Sequence, residues 1–86
     1  MSWICYILEC ADGTFYTGIT NDLVKRLAAH NAGTASKYTR SRVPVQVAYS
    51  EGQPDRAAAS RREMAIKRLP RAAKWRLIQA AGTRVE

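Results

Sequence analysis

The run Trp3-Ile4-Cys5-Tyr6-Ile7-Leu8 constrains this chain more than any other stretch. A strand sends alternate side chains to opposite faces, yet here both faces are apolar. Such a strand belongs in the middle of a sheet, covered on both sides. It needs a neighbour along each edge and a layer over each face, all from 86 residues. That length suffices for one domain with one modest core.

The first neighbour follows at once. Asp12-Gly13 is a turn signal, and Phe15-Tyr16-Thr17-Gly18-Ile19-Thr20 is a second β-prone run, so the two runs read as a hairpin. Its register decides which side chains share a face. A two-residue loop would pair Glu9 with Tyr16 and put Tyr6 and Tyr16 on opposite faces. A three-residue loop or a bulge, pairing Cys10 with Tyr16, puts both tyrosines on one face and Cys5, Ile7, Phe15 and Ile19 on the other. The second arrangement makes the better core and is preferred. Gly18 then leaves room on the tyrosine face for a close approach.

The second neighbour is Val43 to Tyr49, with Pro44 at its start or on an edge. Lying antiparallel to the first strand, it completes a sheet of order 2-1-3. Helices supply the covering layers. The first runs from Asp22 to about Asn31, with Leu23, Val24, Leu27 and Ala28 on its apolar arc and Gly33 suited to the C-terminal cap. The second runs from an Asp55 cap to about Leu69, with Ala58, Ala59, Ala65, Ile66 and Leu69 as its buried arc. Pro70 breaks it, and a last helix spans about Arg71 to Ala81, with Trp75, Ile78 and Ala81 as its stripe and Gly82 as its stop. The expected fold is α+β, a three-stranded antiparallel sheet flanked by helices in the chain order ββαβαα. Residues 1–82 form the domain and 83–86 a short tail.

Several polar groups have no evident structural task. Tyr6 and Tyr16 share the hairpin, and Arg26 and His30 lie one helical turn apart on the border of their helix. Taken alone, His30 reads as a half-buried histidine. Glu63 is the only acid between Arg56 and Arg84, a region with nine basic residues. An i,i+4 pair with Lys67 explains a glutamate there, but not its isolation. Arg62 projects into the same arc and must snorkel or pair. Residues 34–42 gather Lys37, Tyr38, Arg40 and Arg42 among hydroxyls, a composition that suits phosphate contacts with a base stacked on Tyr38. A solvated loop is the plainer reading of that segment.

Charge narrows the partner. Fourteen Lys and Arg against seven Asp and Glu leave a net charge of +7, which favours a polyanion, nucleic acid first. A membrane partner is disfavoured, because no stretch is apolar on one face and lysine-rich on the other. No leader peptide or bilayer-spanning segment is evident. Cys5 and Cys10 face opposite ways on one strand and should stay reduced, as in a cytoplasm. One histidine and no Cys-x-x-Cys argue against structural zinc.

These residues suit phosphodiester hydrolysis, which needs a base for the attacking water, positive charge for the transition state and help for the leaving oxygen. A lone carboxylate such as Glu63 fits Mg²⁺, which keeps several of its waters. Arg26 can hold a phosphate oxygen with its planar fork. Tyrosine, with a reference pKa of about 10, needs nearby cations to lower it before it can act as a base at neutral pH.

Cys5-Tyr6-Ile7, then Tyr16-Thr17-Gly18, then Arg26 and His30, and a later helical Glu63, resemble the GIY-YIG nuclease superfamily, in particular its small single-domain bacterial members. The resemblance spans roughly Trp3 to Ile78. It implies Tyr6 as general base, Tyr16 as phosphate ligand or assistant, Arg26 as the stabilising cation, His30 as support for proton transfer and Glu63 as the single ligand of Mg²⁺ or Mn²⁺. It also implies the same three-stranded fold. The activity implied is endonuclease cleavage, in DNA repair or processing, by a cytoplasmic monomer acting on DNA rather than RNA. Lys37, Tyr38, Arg40, Arg42 and Lys74 would bind the nucleic acid. The triplets here are Cys-Tyr-Ile and Tyr-Thr-Gly, and both keep their tyrosine. Many members carry an asparagine on a late helix, and this chain has none after Asn31; either Lys74 or Gln79 replaces it or the site is weaker. Larger members carry a separate recognition domain; without one, this chain would take its specificity from a protein partner, act on a structure rather than a sequence, or cut poorly. The alternatives are a non-catalytic nucleic-acid-binding module of the same fold, which has no use for Glu63, and a domain whose basic surface meets an acidic protein.

Overall fold

β1 (Trp3–Glu9) is the middle strand of a three-stranded antiparallel sheet, between β2 (Phe15–Thr20) and β3 (Gln46–Gln53). The computed structural model describes residues 2–82; the expected tail at 83–86 lies outside them. Cys5, Tyr6, Ile7 and Leu8 are all buried, as a strand apolar on both faces requires.

The hairpin closes through a three-residue loop. Cys10 N–H donates to the Thr14 carbonyl at 2.8 Å, and Gly13 N–H to the Cys10 carbonyl at 2.9 Å. Gly13 takes φ +85°, the left-handed position such loops reserve for glycine. Tyr6 therefore lies opposite Gly18, and Tyr16 opposite Leu8. The register expected from sequence, with Tyr16 opposite Cys10, is two residues off. A slip of two keeps every side chain on its face, so the tyrosines still share one face, and Cys5, Ile7, Phe15 and Ile19 the other.

α1 (Leu23–Asn31) covers the tyrosine face, where Leu23 and Leu27 pack against Tyr6, Leu8, Cys10 and Val45. Asp22 caps it by accepting from Lys25 N–H. At the other end Gly33, at φ +81°, lets Gly33 N–H reach the His30 carbonyl and Thr34 N–H the Ala29 carbonyl. The helix is rolled from the expected arc. Val24 is 83% exposed, and the inward line is Leu23, Leu27 and His30. His30 thus lies at the centre of the buried face rather than on its border.

The 34–42 stretch is not a loop throughout. Lys37–Arg40 form a helical turn, α2, capped by the Ser36 side chain. Arg42 ties this turn to the hairpin, with its Nε 3.0 Å from Asp12 and an NH group donating to the Tyr38 carbonyl at 2.7 Å. The third strand starts later than Val43, because Val45 leaves the sheet ladder for the Asn31 amide. Val45 N–H donates to Asn31 Oδ1 at 2.7 Å, and Asn31 Nδ2 donates to the Val45 carbonyl at 3.0 Å.

The other face of the sheet carries α3 (Arg56–Lys67) and α4 (Arg71–Gly82), around a core of Cys5, Ile7 and Ile66 flanked by Phe15, Ile19, Tyr49, Leu77 and Ile78. α3 stops at an Arg68 cap, short of Leu69, and Ala65 is exposed. Its inward line is Ala59, Arg62, Glu63 and Ile66. Arg62 settles its burial by pairing: its Nε lies 2.8 Å from Glu51 on β3. Trp75 is 46% exposed yet stacks on Phe15 at 6.4 Å. Both cysteines are buried free thiols. Among the described residues no helix is long and apolar enough to cross a membrane.

Candidate active site

A cleft of about 330 Å³ runs along β2 and draws residues from both faces of the sheet. Tyr6, Tyr16, Arg26 and Glu63 line it together, with Gly18, Ile19, Thr20 and Asn21 as its floor and Trp3 and Arg56 at its rim. The two tyrosines come from the hairpin face that α1 covers, Arg26 from α1 itself, and Glu63 from α3 on the opposite face. On α3, Arg62 and Glu63 flank the Ala59–Ile66 line on opposite sides. One reaches β3 and the other the cleft.

Gly18 sets how Tyr6 enters. A Cβ at Gly18 would lie 2.5 Å from the Tyr6 hydroxyl and 2.7 Å from its Cζ. The space beside Gly18 is thus filled by the facing tyrosine, which crosses its partner strand to reach the cleft.

His30 stands behind Tyr6 and has no exposed surface. Its Nε2 is 3.0 Å from the Tyr6 hydroxyl and its Nδ1 2.8 Å from Thr39 Oγ1. Tyr16 lies edge-on to the imidazole, 5.1 Å between centroids. Burial, reinforced by the nearby Arg26 cation, pushes the imidazole below its ordinary value, so it is neutral at pH 7. Burial also pushes the Tyr6 hydroxyl above its ordinary value, although Arg26 pulls the other way. The sequence suggests the opposite direction, with cations lowering Tyr6. Desolvation outweighs the one arginine.

The expected nucleic-acid contacts separate into groups. Lys37 and Arg40 are exposed cations with no carboxylate partner among the described residues. Tyr38 stacks on Tyr16 at 5.9 Å and carries the Arg42 guanidinium 4.0 Å from its centroid. Those two side chains are already committed to joining α2 to the hairpin. Lys74 and Gln79 lie on α4, and neither lines the cleft.

Three residues at the site carry no signal in the sequence. Arg56 is the first residue of α3, and its guanidinium lies 5.6 Å from the Trp3 ring centroid. Nothing in the spacing of these two links them. Thr39 sits in a stretch that stands out for its cations, and its burial beneath them is a matter of tertiary packing.

Among the described residues no three His, Cys, Asp or Glu side chains cluster as a cation-binding group. A metal held by many protein ligands does not fit here. A single carboxylate in an open polar cleft does fit a hydrated ion such as Mg²⁺. Glu63 is the residue that would hold it; its other neighbour is Lys67 at 3.1 Å.

Comparison with known proteins agrees with this architecture. A family model described as the GIY-YIG catalytic domain matches residues 2–76. UPF0213 protein XAC3202 of Xanthomonas axonopodis is 54% identical over 78 residues, covering 91% of this chain and 76% of that one. UPF0213 protein VNG_2274C of Halobacterium salinarum is 51% identical over 69 residues, covering 80% and 90%. The solution structure of UPF0213 protein BH0048 from Bacillus halodurans superposes with a TM-score of 0.62 at 39% identity, covering 95% of this chain and 87% of that one.

Proposed function

This chain belongs to the GIY-YIG nuclease family, and on that premise we propose that it is a metal-dependent endonuclease hydrolysing phosphodiester bonds, of DNA in preference to RNA. The observation that carries the reading is the convergence of Tyr6, Tyr16, Arg26 and Glu63 on one cleft, with a buried neutral His30 behind Tyr6.

The proton path follows from the 3.0 Å contact between the Tyr6 hydroxyl and His30 Nε2, two groups that burial displaces in opposite directions. A tyrosine pushed upward holds its proton at neutral pH and is a poor base alone. A neutral imidazole 3.0 Å away accepts that proton. As the attacking water forms its bond to phosphorus, its proton passes to the Tyr6 oxygen, and the Tyr6 proton passes to His30 Nε2. Tyr6 ends neutral and His30 ends as imidazolium. Arg26, a donor with a fixed fork, neutralises a non-bridging phosphate oxygen as charge builds there. Tyr16, which lines the same cleft, orients the phosphate. A divalent ion on Glu63 would supply Lewis acidity at the phosphate and stabilise the leaving oxygen.

The test is incubation of the pure protein with labelled branched, duplex and single-stranded DNA and RNA, with and without Mg²⁺ or Mn²⁺, beside Glu63→Gln. Metal-dependent cleavage lost in Glu63→Gln supports the reading. The ion pair removed with it is to an exposed i,i+4 lysine, worth only about 0.2–0.5 kcal/mol, so folding should hold. Equal cleavage by both proteins refutes the site. Binding without cleavage under every condition favours a non-catalytic module, in which Glu63 serves only its pair with Lys67.

A further inference from the structure

We infer that Thr39 is a positioning residue that fixes the tautomer of His30, holding the proton on Nδ1 so that Nε2 faces Tyr6 with a free lone pair. The inference rests on the reading of Tyr6 and His30 as a proton-transfer pair.

Two sets of contacts converge on this assignment. On one side, the Thr39 hydroxyl is enclosed, with no exposed surface. It has one proton to give, and Ser36 offers two acceptors, its Oγ at 3.2 Å and its backbone carbonyl at 3.4 Å. With that proton turned towards Ser36, the Thr39 oxygen presents a lone pair to His30 Nδ1 at 2.8 Å, and Nδ1 must carry a hydrogen. On the other side, Arg26 shares the cleft with Tyr6 and can only donate, so it does not compete for the Tyr6 proton. His30 Nε2 at 3.0 Å is the acceptor within reach. One ring cannot donate at both nitrogens while neutral, and the two ends agree on which is bare.

This also gives α2 a task. The four-residue turn buries Thr39 against His30 while its neighbours Lys37 and Arg40 stand in solvent. Ser36 both caps the turn, accepting from Thr39 N–H at 3.1 Å, and orients the Thr39 hydroxyl. The turn that offers cations to a polyanion therefore also holds the imidazole in its proton-accepting form.

The chain has one histidine, so ¹⁵N imidazole NMR reads its tautomer without ambiguity and without any cleavage assay. The wild type is expected as the neutral Nδ1–H form. Thr39→Val keeps the shape and removes the acceptor; it should move the ring towards Nε2–H, and Thr39→Ser should restore the wild-type pattern. Cleavage should fall in Thr39→Val by roughly 10²–10⁴-fold in kcat, the range that a positioned general base contributes, with KM little changed, and recover in Thr39→Ser. A wild-type ring found as Nε2–H overturns the inference, and so does a Thr39→Val ring that stays Nδ1–H. If Thr39→Val fails to fold, the wild-type and Thr39→Ser spectra still decide it. A wild type with the expected tautomer but no cleavage refutes the nuclease reading and leaves standing only the hold of Thr39 on the His30 tautomer.

Discussion

Gly18→Ala tests how the cleft is built. The added Cβ would lie 2.5 Å from the Tyr6 hydroxyl, where ordinary contact begins at 3.4 Å. The hydroxyl must therefore retreat by about 1 Å, since dispersion wells do not tolerate closer approach. His30 cannot follow, because it is enclosed and held by Thr39 on its other side. Overpacking of this kind costs about 1–3 kcal/mol, which for a domain of this size lowers Tm by roughly 5–20 °C. A misplacement of that size at the reacting centre costs about 10²-fold in rate. The assay is thermal unfolding by circular dichroism together with single-turnover cleavage at a temperature where the variant is folded. Gly13→Ala is the control: at φ +85° with open space around it, it should lose about 1–2 kcal/mol from left-handed backbone strain and keep its rate. Wild-type stability and wild-type rate in Gly18→Ala would refute the account of Tyr6 crossing its neighbour strand.

Further outcomes follow from the titrations and the charges. The depressed His30 means the unfolded chain binds a proton that the native state refuses, so stability is full above the unfolded value of about 6.5 and falls as pH drops towards the native value. Denaturant titrations across that range should show this slope, and His30→Gln should flatten it there while leaving the carboxylate-driven loss at lower pH. Replacing Lys37 and Arg40 should flatten the log–log salt dependence of nucleic-acid binding by about 0.7–0.9 for each phosphate no longer neutralised; an unchanged slope removes α2 from the interface. Burial, aided by Glu51 and Glu63, pushes the Cys5 thiol up to about 11, so alkylation at pH 8 should proceed only on unfolding, which pulsed labelling in denaturant would measure.

The sheet order is legible in the sequence because one strand is apolar on both faces, and a 2-1-3 arrangement places it centrally. Face assignment survives an error in register because side chains alternate with a period of two, and the hairpin differs by an even step. The roll of α1 is not legible. Val24 is as apolar as Leu27, and only the tertiary demand for His30 beneath Tyr6 turns Val24 outward. Ala65 is misplaced by its periodicity because alanine carries little apolar weight, so α3 takes its orientation from Ile66 and from the Arg62 pair instead. The start of β3 is hidden because Asn31 captures the Val45 backbone, a contact between segments fourteen residues apart. Of the site, the residues with reactive groups can be picked from sequence. The Thr39 hydroxyl behind His30 can be placed only from contacts, and the space that Gly18 leaves is legible in the sequence while its occupant, Tyr6, is not.

The Arg62–Glu51 pair has a mechanical consequence. α3 rests on the sheet along a thin ridge, with Ala59 and Ile66 as its fully buried side chains, and a cylinder on a ridge can roll. At a radius of about 6 Å, a 20° roll moves a side-chain tip by about 2 Å, well beyond the roughly 0.5 Å within which a working site must hold its groups. Arg62 and Glu63 project about 100° apart, so anchoring one fixes the bearing of the other. Glu51 in turn is steadied by Tyr49 and Gln53, which donate to it at 2.5 and 2.6 Å. An ion pair on the β3 side of the ridge therefore works as a set-screw for the carboxylate on the β2 side, and loosening it would detune the cleft without touching a single residue that lines it.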